Sequence, residues 1–185
     1  MRRILLSIGL VLAASAGSNA IAAGPSPYVG QESREIKALS TQDIDDLVNG
    51  RGMGLAKAAE LNGYPGPMHV LEMSLDFKLT PDQIRVVTGF KNKMSDAARS
   101  LGAEILARER QLDQQFVAGT TNESQLIKET EAIGALYGKL RSVHLVAHLR
   151  TQGVLTAEQI SLYNQRRGYG PDPAPQTPEH SMHGK

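Results

Sequence analysis

Apolar residues recur along this chain at helical intervals, and in two stretches they do so for many turns. From Pro81 to about Val117 the positions Ile84, Val87, Phe90, Met94, Ala98, Leu101, Ile105, Leu112 and Phe116 fall at a spacing of roughly 3.5 residues, the value of a coiled-coil seam. Lys91 and Arg108 interrupt that seam. From about Asn122 to Gln152 the seam Leu126, Thr130, Ile133, Tyr137, Leu140, His144 and Ala147 alternates steps of four and three. Gly119-Thr120-Thr121 turns the chain between the two stretches and Gly153 ends the second, so the pattern predicts a long helical hairpin. Gly134 and Gly138 lie on one face of the second helix and predict a close backbone approach there.

Shorter patterns flank the hairpin. Ser40 with Asp43 three residues on reads as a helix start, Ile44, Leu47 and Val48 supply an apolar face, and Gly50 stops it. Leu55 to Leu61 is alanine-rich and helical, and Asn62-Gly63 ends it. Tyr64-Pro65-Gly66-Pro67 is a turn, after which Met68 to Leu75 reads as helix. Residues 24–40, a polar lead-in with Gly24, Pro25 and Pro27, read as extended or poorly ordered chain, and the tail from Gly168, with four prolines, as disorder. The expected organisation is a signal peptide over 1–22, an N-terminal extension over 23–64, a helical domain over 65–168 and a disordered tail over 169–185.

One five-residue pattern occurs twice, Leu79-Thr80-Pro81-Asp82-Gln83 and Leu155-Thr156-Ala157-Glu158-Gln159. Each copy predicts a helix start in which the threonine hydroxyl caps a first-turn N–H and the glutamine reaches back to the cap's own N–H. Pro81 sits where its missing N–H is no loss, and Asp82 and Glu158 sit where the helix dipole favours negative charge. The leucine before each cap is placed to staple the incoming chain.

The N-terminus changes where the protein is expected to work. Arg2 and Arg3, the apolar run from Ile4 to Ala16 and Ala20-Ile21-Ala22 have the plan of a cleavable secretory signal. The run is short for a membrane span, so the expectation is a periplasmic protein with no membrane insertion after cleavage. Without Arg2 and Arg3, 18 basic residues face 19 acidic ones, a formal charge of −1, which gives no basis for binding nucleic acid. Zero cysteines exclude disulfides and thiol chemistry.

Paired L-T-x-x-Q motifs in a small, exported, cysteine-free helical chain resemble the Spy/CpxP group of periplasmic chaperones, with its relatives among zinc-resistance-associated proteins and heavy-metal sensors. The resemblance covers roughly residues 65–168. It implies an all-α fold, a long antiparallel hairpin with shorter flanking helices forming a curved homodimer. It also implies ATP-independent binding of unfolded envelope proteins under stress, with metal sensing or resistance, or inhibition of a sensor kinase, as alternatives.

The residues themselves carry less specific chemistry. Gly50-Arg51-Gly52-Met53-Gly54 matches neither G-x-G-x-x-G nor a phosphate loop and reads as a connector. No catalytic constellation is present, so no enzyme activity and no required cofactor are expected. His144 and His148 stand one helical turn apart, with His69, Glu72 and Met73 in a separate helix and His180, Met182 and His183 in the tail. These side chains have the chemistry for zinc, nickel or copper, although His144 on an apolar seam equally fits a core histidine. Between Gly134 and Gly170, Arg141, Arg150, Arg166 and Arg167 interleave with Leu145, Val146 and Leu149. That mixture of cations and aliphatics suits loose capture of an unfolded chain.

Overall fold

The computed structural model describes residues 24–169. The signal segment and the tail residues His180, Met182 and His183 lie outside them. The chain divides into two units, Met1–Glu32 and Ser33–Lys185. The described part of the first is a pair of turns, in which the Val29 N–H donates to the Ser26 carbonyl (3.2 Å) and the Gln31 N–H to that of Tyr28 (3.0 Å).

The second unit is all-α among its described residues: α1 Thr41–Asn49, α2 Lys57–Glu60, α3 Pro67–Glu72, α4 Pro81–Ala118, α5 Glu123–Gln152 and α6 Ala157–Arg166. The long helices α4 and α5 pack on each other as the predicted hairpin, α1 and α3 lie on α4, and α2 touches α5. No helix among the described residues is long and apolar enough to cross a membrane.

Two apolar clusters hold the unit together. In the first, Leu47 of α1 meets Ala98, Ile105 and Leu106 of α4 and Leu136 and Leu140 of α5. Ile36 and Leu39 are buried in the same cluster, which corrects the expectation of extended or poorly ordered chain for residues 33–39. Residues 33–39 turn back instead onto α4, where Lys37 pairs with Asp113 (3.1 Å) and Glu35 with Arg110 (2.7 Å). Arg108, which interrupts the α4 seam, bridges to Glu129 of α5 at 3.0 Å.

The close backbone approach predicted at Gly134 and Gly138 occurs elsewhere. A Cβ on either would meet nothing within 4 Å, whereas one on Gly102 of α4 would lie 2.1 Å from the Leu47 carbonyl oxygen. At Gly102 the end of α1 rests directly on the α4 backbone, and α1 then stops at Gly50 with φ +64°.

The second cluster, Val70, Phe77, Leu79, Val87 and Tyr163, forms where α3, α4 and α6 meet. Helix α3 is shorter than its pattern predicts. The chain closes a terminal turn in which Leu79 N–H donates to Ser74 O (3.0 Å) and Lys78 N–H to Leu75 O (3.1 Å), with Lys78 held at φ +48°. This is the hydrogen-bond pattern of a glycine-type helix end with a lysine in the left-handed position. Leu79 is buried here, while Ile84, the partner of a conventional staple, remains 39% exposed.

The two repeated motifs meet at this end of the hairpin. Both capping boxes form: Thr80 N–H donates to Gln83 Oε1 (3.0 Å) and Gln83 N–H to Thr80 Oγ1 (3.2 Å), and Thr156 with Gln159 repeats the pair at 2.9 and 3.2 Å. The glutamines then bond each other. Gln83 Nε2 donates to Gln159 Oε1 (2.8 Å) and to the Val154 carbonyl (2.9 Å); Gln159 Nε2 donates to Gln83 Oε1 (3.2 Å) and to the Phe77 carbonyl (3.1 Å). Each amide thus uses its oxygen twice and both of its hydrogens, and each reaches the chain just ahead of the other motif.

Two predictions follow from this packing. Gly102→Ala should destabilise the fold by about 1–3 kcal/mol through overpacking, against an intrinsic helix gain of about 1 kcal/mol. Gly89→Ala, in the same helix with no neighbour within 4 Å, should show only the gain. Urea denaturation of the two variants measures the contrast.

At the clasp, Gln83→Ala should cost about 2–4 kcal/mol, since several partly buried bonds of about 0.5–1.5 kcal/mol each are lost. Gln83→Glu should be at least as damaging, because a carboxylate would face the Gln159 Oε1 and Val154 oxygens with no hydrogen to offer. Gln83→Ala/Gln159→Ala should cost clearly less than the sum of the single losses; additive losses would mean that the glutamines do not act as a unit.

Candidate functional site

Helix α5 presents polar and apolar side chains to two different concavities. Residues 144 and 148, one turn apart, share one of its faces, and residues 142, 146 and 150 share another.

The first concavity is a cleft of about 540 Å³ between the 50–54 loop, α3, α4 and α5. His144 and His148 form part of its wall, with His69 from α3 and Lys91 and Met94 from α4. Lys91 is the charged residue that interrupts the apolar seam of α4. The glycine-rich segment 50–54 is therefore a wall of this cleft as well as a connector. Met53 within it adopts φ +46°, a conformation unfavourable for a side chain of this size.

His148 is fixed by its surroundings. Its Nδ1 lies 2.8 Å from the Tyr64 carbonyl, and since a carbonyl only accepts, that nitrogen carries hydrogen. The Pro65-Gly66-Pro67 turn brings Gly66 against the ring, where a Cβ would stand 2.9 Å from His148 Cε1. Next to it, Glu60 of α2 is almost enclosed. Its Oε1 accepts from the Tyr163 hydroxyl (2.6 Å), Arg167 Nε (3.2 Å) and the Tyr169 hydroxyl (3.2 Å), and its Oε2 lies 3.6 Å from His148 Nδ1. Burial, and then the bond to Glu60, push the Tyr163 phenol well above its usual range.

His144 differs. It is 3% exposed, and its Nε2 is buried with no hydrogen-bond partner among the described residues. Burial, and then the neighbouring His148, lower its pKa below the ordinary imidazole value.

The structure separates the side chains that sequence grouped as metal ligands. His69, His144 and His148 share the cleft, but the Glu72 carboxylate is bonded to His69 Nδ1 at 2.9 Å. Met73 packs on the second apolar cluster. Among the described residues no group of three or more His, Asp or Glu side chains is gathered closely enough to hold a metal ion. As placed, His144 and His148 are adjacent imidazoles, and no complete donor set for zinc, nickel or copper is gathered around them among the described residues.

The second concavity is a groove of about 280 Å³ between α4 and α5. Phe90 and Ala97 line one side and Val143 and Val146 the other, with Lys93 and Arg150 among its walls. Leu149, 58% exposed, and Arg141 also reach solvent on α5, and Leu145 is half-buried. Neither Arg141 nor Arg150 has a carboxylate partner among the described residues, whereas Arg167 is bonded to Glu60 and Arg166 lies 3.9 Å from Asp76.

Glu60, Lys57, Lys91, Tyr163 and Phe90 were not singled out by the sequence as site residues. For Lys91 the signal was present, since a charge on an apolar seam implies an opening beside it. Glu60 and Tyr163 gave none, as their meeting depends on how α2 and α6 pack. Compared with known proteins, the chain matches no family model, no curated protein and no solved structure.

The lowered pKa of His144 makes stability depend on pH. Unfolded, the imidazole takes up a proton as pH falls through about 6.5; folded, it stays neutral to a lower pH. The unfolded state therefore binds more protons, and His144 contributes stability that is present above that value and is lost as pH falls toward the folded pKa. Denaturant midpoints should drop between pH 7 and pH 5 in the native protein and drop less in His144→Leu. An equal drop in both would place the pH dependence elsewhere.

Proposed function

We propose that the chain is a non-enzymatic, ATP-independent chaperone-like protein of the periplasm that holds unfolded segments of other proteins along the α4–α5 groove. The observation that carries this reading is the groove itself. An apolar floor of Phe90, Val143 and Val146 is bordered by Lys93 and Arg150, and exposed Leu149 extends the surface along α5, while Arg141 is exposed on another face of that helix. Small apolar contacts of this kind hold a chain weakly, and cations beside them attract acidic or partly acidic clients over a longer range. Val146, Leu149 and Arg150 are the client-binding residues in this reading, and Arg141 lies off the groove. Arg167 belongs to the Glu60 cluster, and Leu145 and Arg166 are peripheral.

A homodimer accompanies the proposal. Phe116, Val117 and Ile127, near the hairpin tip, are exposed, and a second copy is an economical cover for the apolar surface there.

Equimolar protein should suppress aggregation of several unrelated denatured clients without nucleotide. Val146→Asp and Arg150→Glu should each weaken suppression several-fold at unchanged thermal midpoint, and salt near 0.5 M should reduce capture as the Debye length shortens to about 4 Å. Light scattering of the client decides the matter. A protein inert toward every client, or one unaffected by both substitutions, removes the groove from the function.

A further inference from the structure

The histidine cleft is a separate feature from the groove, and its charge balance points away from a cation. We propose that this cleft binds a small organic anion with an apolar body, such as a monocarboxylate on an aliphatic or aromatic frame. The inference does not rest on the chaperone reading.

The size is that of a small-molecule site. About 540 Å³ lies within the range of roughly 300–1,000 Å³ typical of such sites. The walls supply an apolar surround, since Met53, Met68 and Met94 all face the space. Methionine adapts to irregular ligands because its side chain is unbranched and polarisable.

The charges are uneven. Arg51, Lys57, Lys91 and Arg167 line the cleft with a single carboxylate, that of Glu60. Arg51 is paired with Asp45 and Asp46, and Arg167 is bonded to Glu60. Glu60 is already engaged by three donors. Lys57 and Lys91 remain, and neither has a carboxylate partner among the described residues. Two uncommitted ammonium groups on a methionine-lined wall repel a divalent metal and attract a carboxylate.

Two further observations mark a ligand rather than a solvated depression. The buried His144 Nε2 has no partner, and an unpaired buried polar atom costs about 1–3 kcal/mol. In its Nε2–H tautomer the ring would donate to an anion. Met53, on the cleft wall, holds a strained left-handed conformation, as residues at ligand clamps do.

Octanoate is the probe, with octanol and octylammonium as neutral and cationic counterparts of the same chain. In protein carrying ¹³C-methyl methionine, octanoate should shift the methyl signals of Met53, Met68 and Met94 and leave that of Met73, in the second apolar cluster, unmoved. Octylammonium should shift none of the cleft methyls. Calorimetry should give one octanoate per chain, weakened at least about tenfold in Lys57→Gln/Lys91→Gln and unchanged in Arg150→Glu, which alters the groove. The proposal fails if octanoate leaves the Met53 and Met68 methyls unmoved, whatever happens at Met94, which also lines the groove. It fails also if all three probes bind alike, or if the double lysine variant binds octanoate as well as the native protein does. Loss of binding in Arg150→Glu with the lysine variant unaffected would assign the anion to the groove and overturn the cleft site.

Discussion

The bond between two glutamine side chains is the constraint on which the rest of this fold depends. A helix start leaves several backbone N–H groups without partners, and a capping glutamine answers only one of them, with its oxygen. Gln83 and Gln159 then have two amide hydrogens each still to satisfy in a partly buried place. They do so by facing each other and by taking the Val154 and Phe77 carbonyls. The beginnings of α4 and α6 are thereby brought together, and α6 is aimed across the end of the hairpin. Tyr163 follows from that direction. Its ring closes the second apolar cluster, while its hydroxyl donates to Glu60 and accepts the Gly66 N–H at 3.3 Å. Gly66 in turn bounds His148. A chain of contacts thus runs from the clasp to the wall of the cleft, and loosening the first link frees the last.

Helix α5 divides the molecule's two concavities by its own periodicity. Its 144/148 face meets α2 and the 64–67 turn, where His148 and Glu60 are held by fixed partners and His144 Nε2 is left without one among the described residues. Its 142/146/150 face meets α4 across a shallower groove, where apolar side chains stay partly open to water. The same element therefore offers one surface with fixed polar groups and one that is adaptable, and Met94 of α4 borders both. A preorganised wall suits a small ligand of one shape. An open aliphatic strip suits chains with no fixed shape.

Most of the helices could be read before any coordinates, because their signals are local. The capping boxes at Ser40, Thr80 and Thr156 form as their residue types require, and on the α5 seam Ile133, Leu140, His144 and Ala147 are buried and Tyr137 partly so. What sequence could not assign was which small or charged residue would meet another element. Gly134 and Gly138 are spaced for close packing and touch nothing, while the solitary Gly102 carries the α1 crossing. Local spacing is blind to that choice, since it depends on where a helix forty or more residues away comes to rest. Ile36 and Leu39 gave too short a pattern to show a period. The glutamine clasp was half legible, for both capping boxes could be read locally while the meeting of Gln83 with Gln159 depends on how α6 packs against the start of α4.

The histidines show the same limit from the side of chemistry. Two imidazoles one turn apart are compatible with a metal, a core or an anion, and residue type alone does not choose among them. The choice is made by what surrounds the pair. Glu72 is bonded to His69, Met73 is turned into an apolar cluster, and Glu60 is enclosed by donors, so the carboxylates that would neutralise a divalent ion are engaged elsewhere. Lys57 and Lys91 lie on the same walls. A divalent cation entering this space would add charge of the sign already in excess, whereas a carboxylate would reduce it and offer His144 Nε2 an acceptor. The field around the histidines, and not their identity, decides what the cleft can hold.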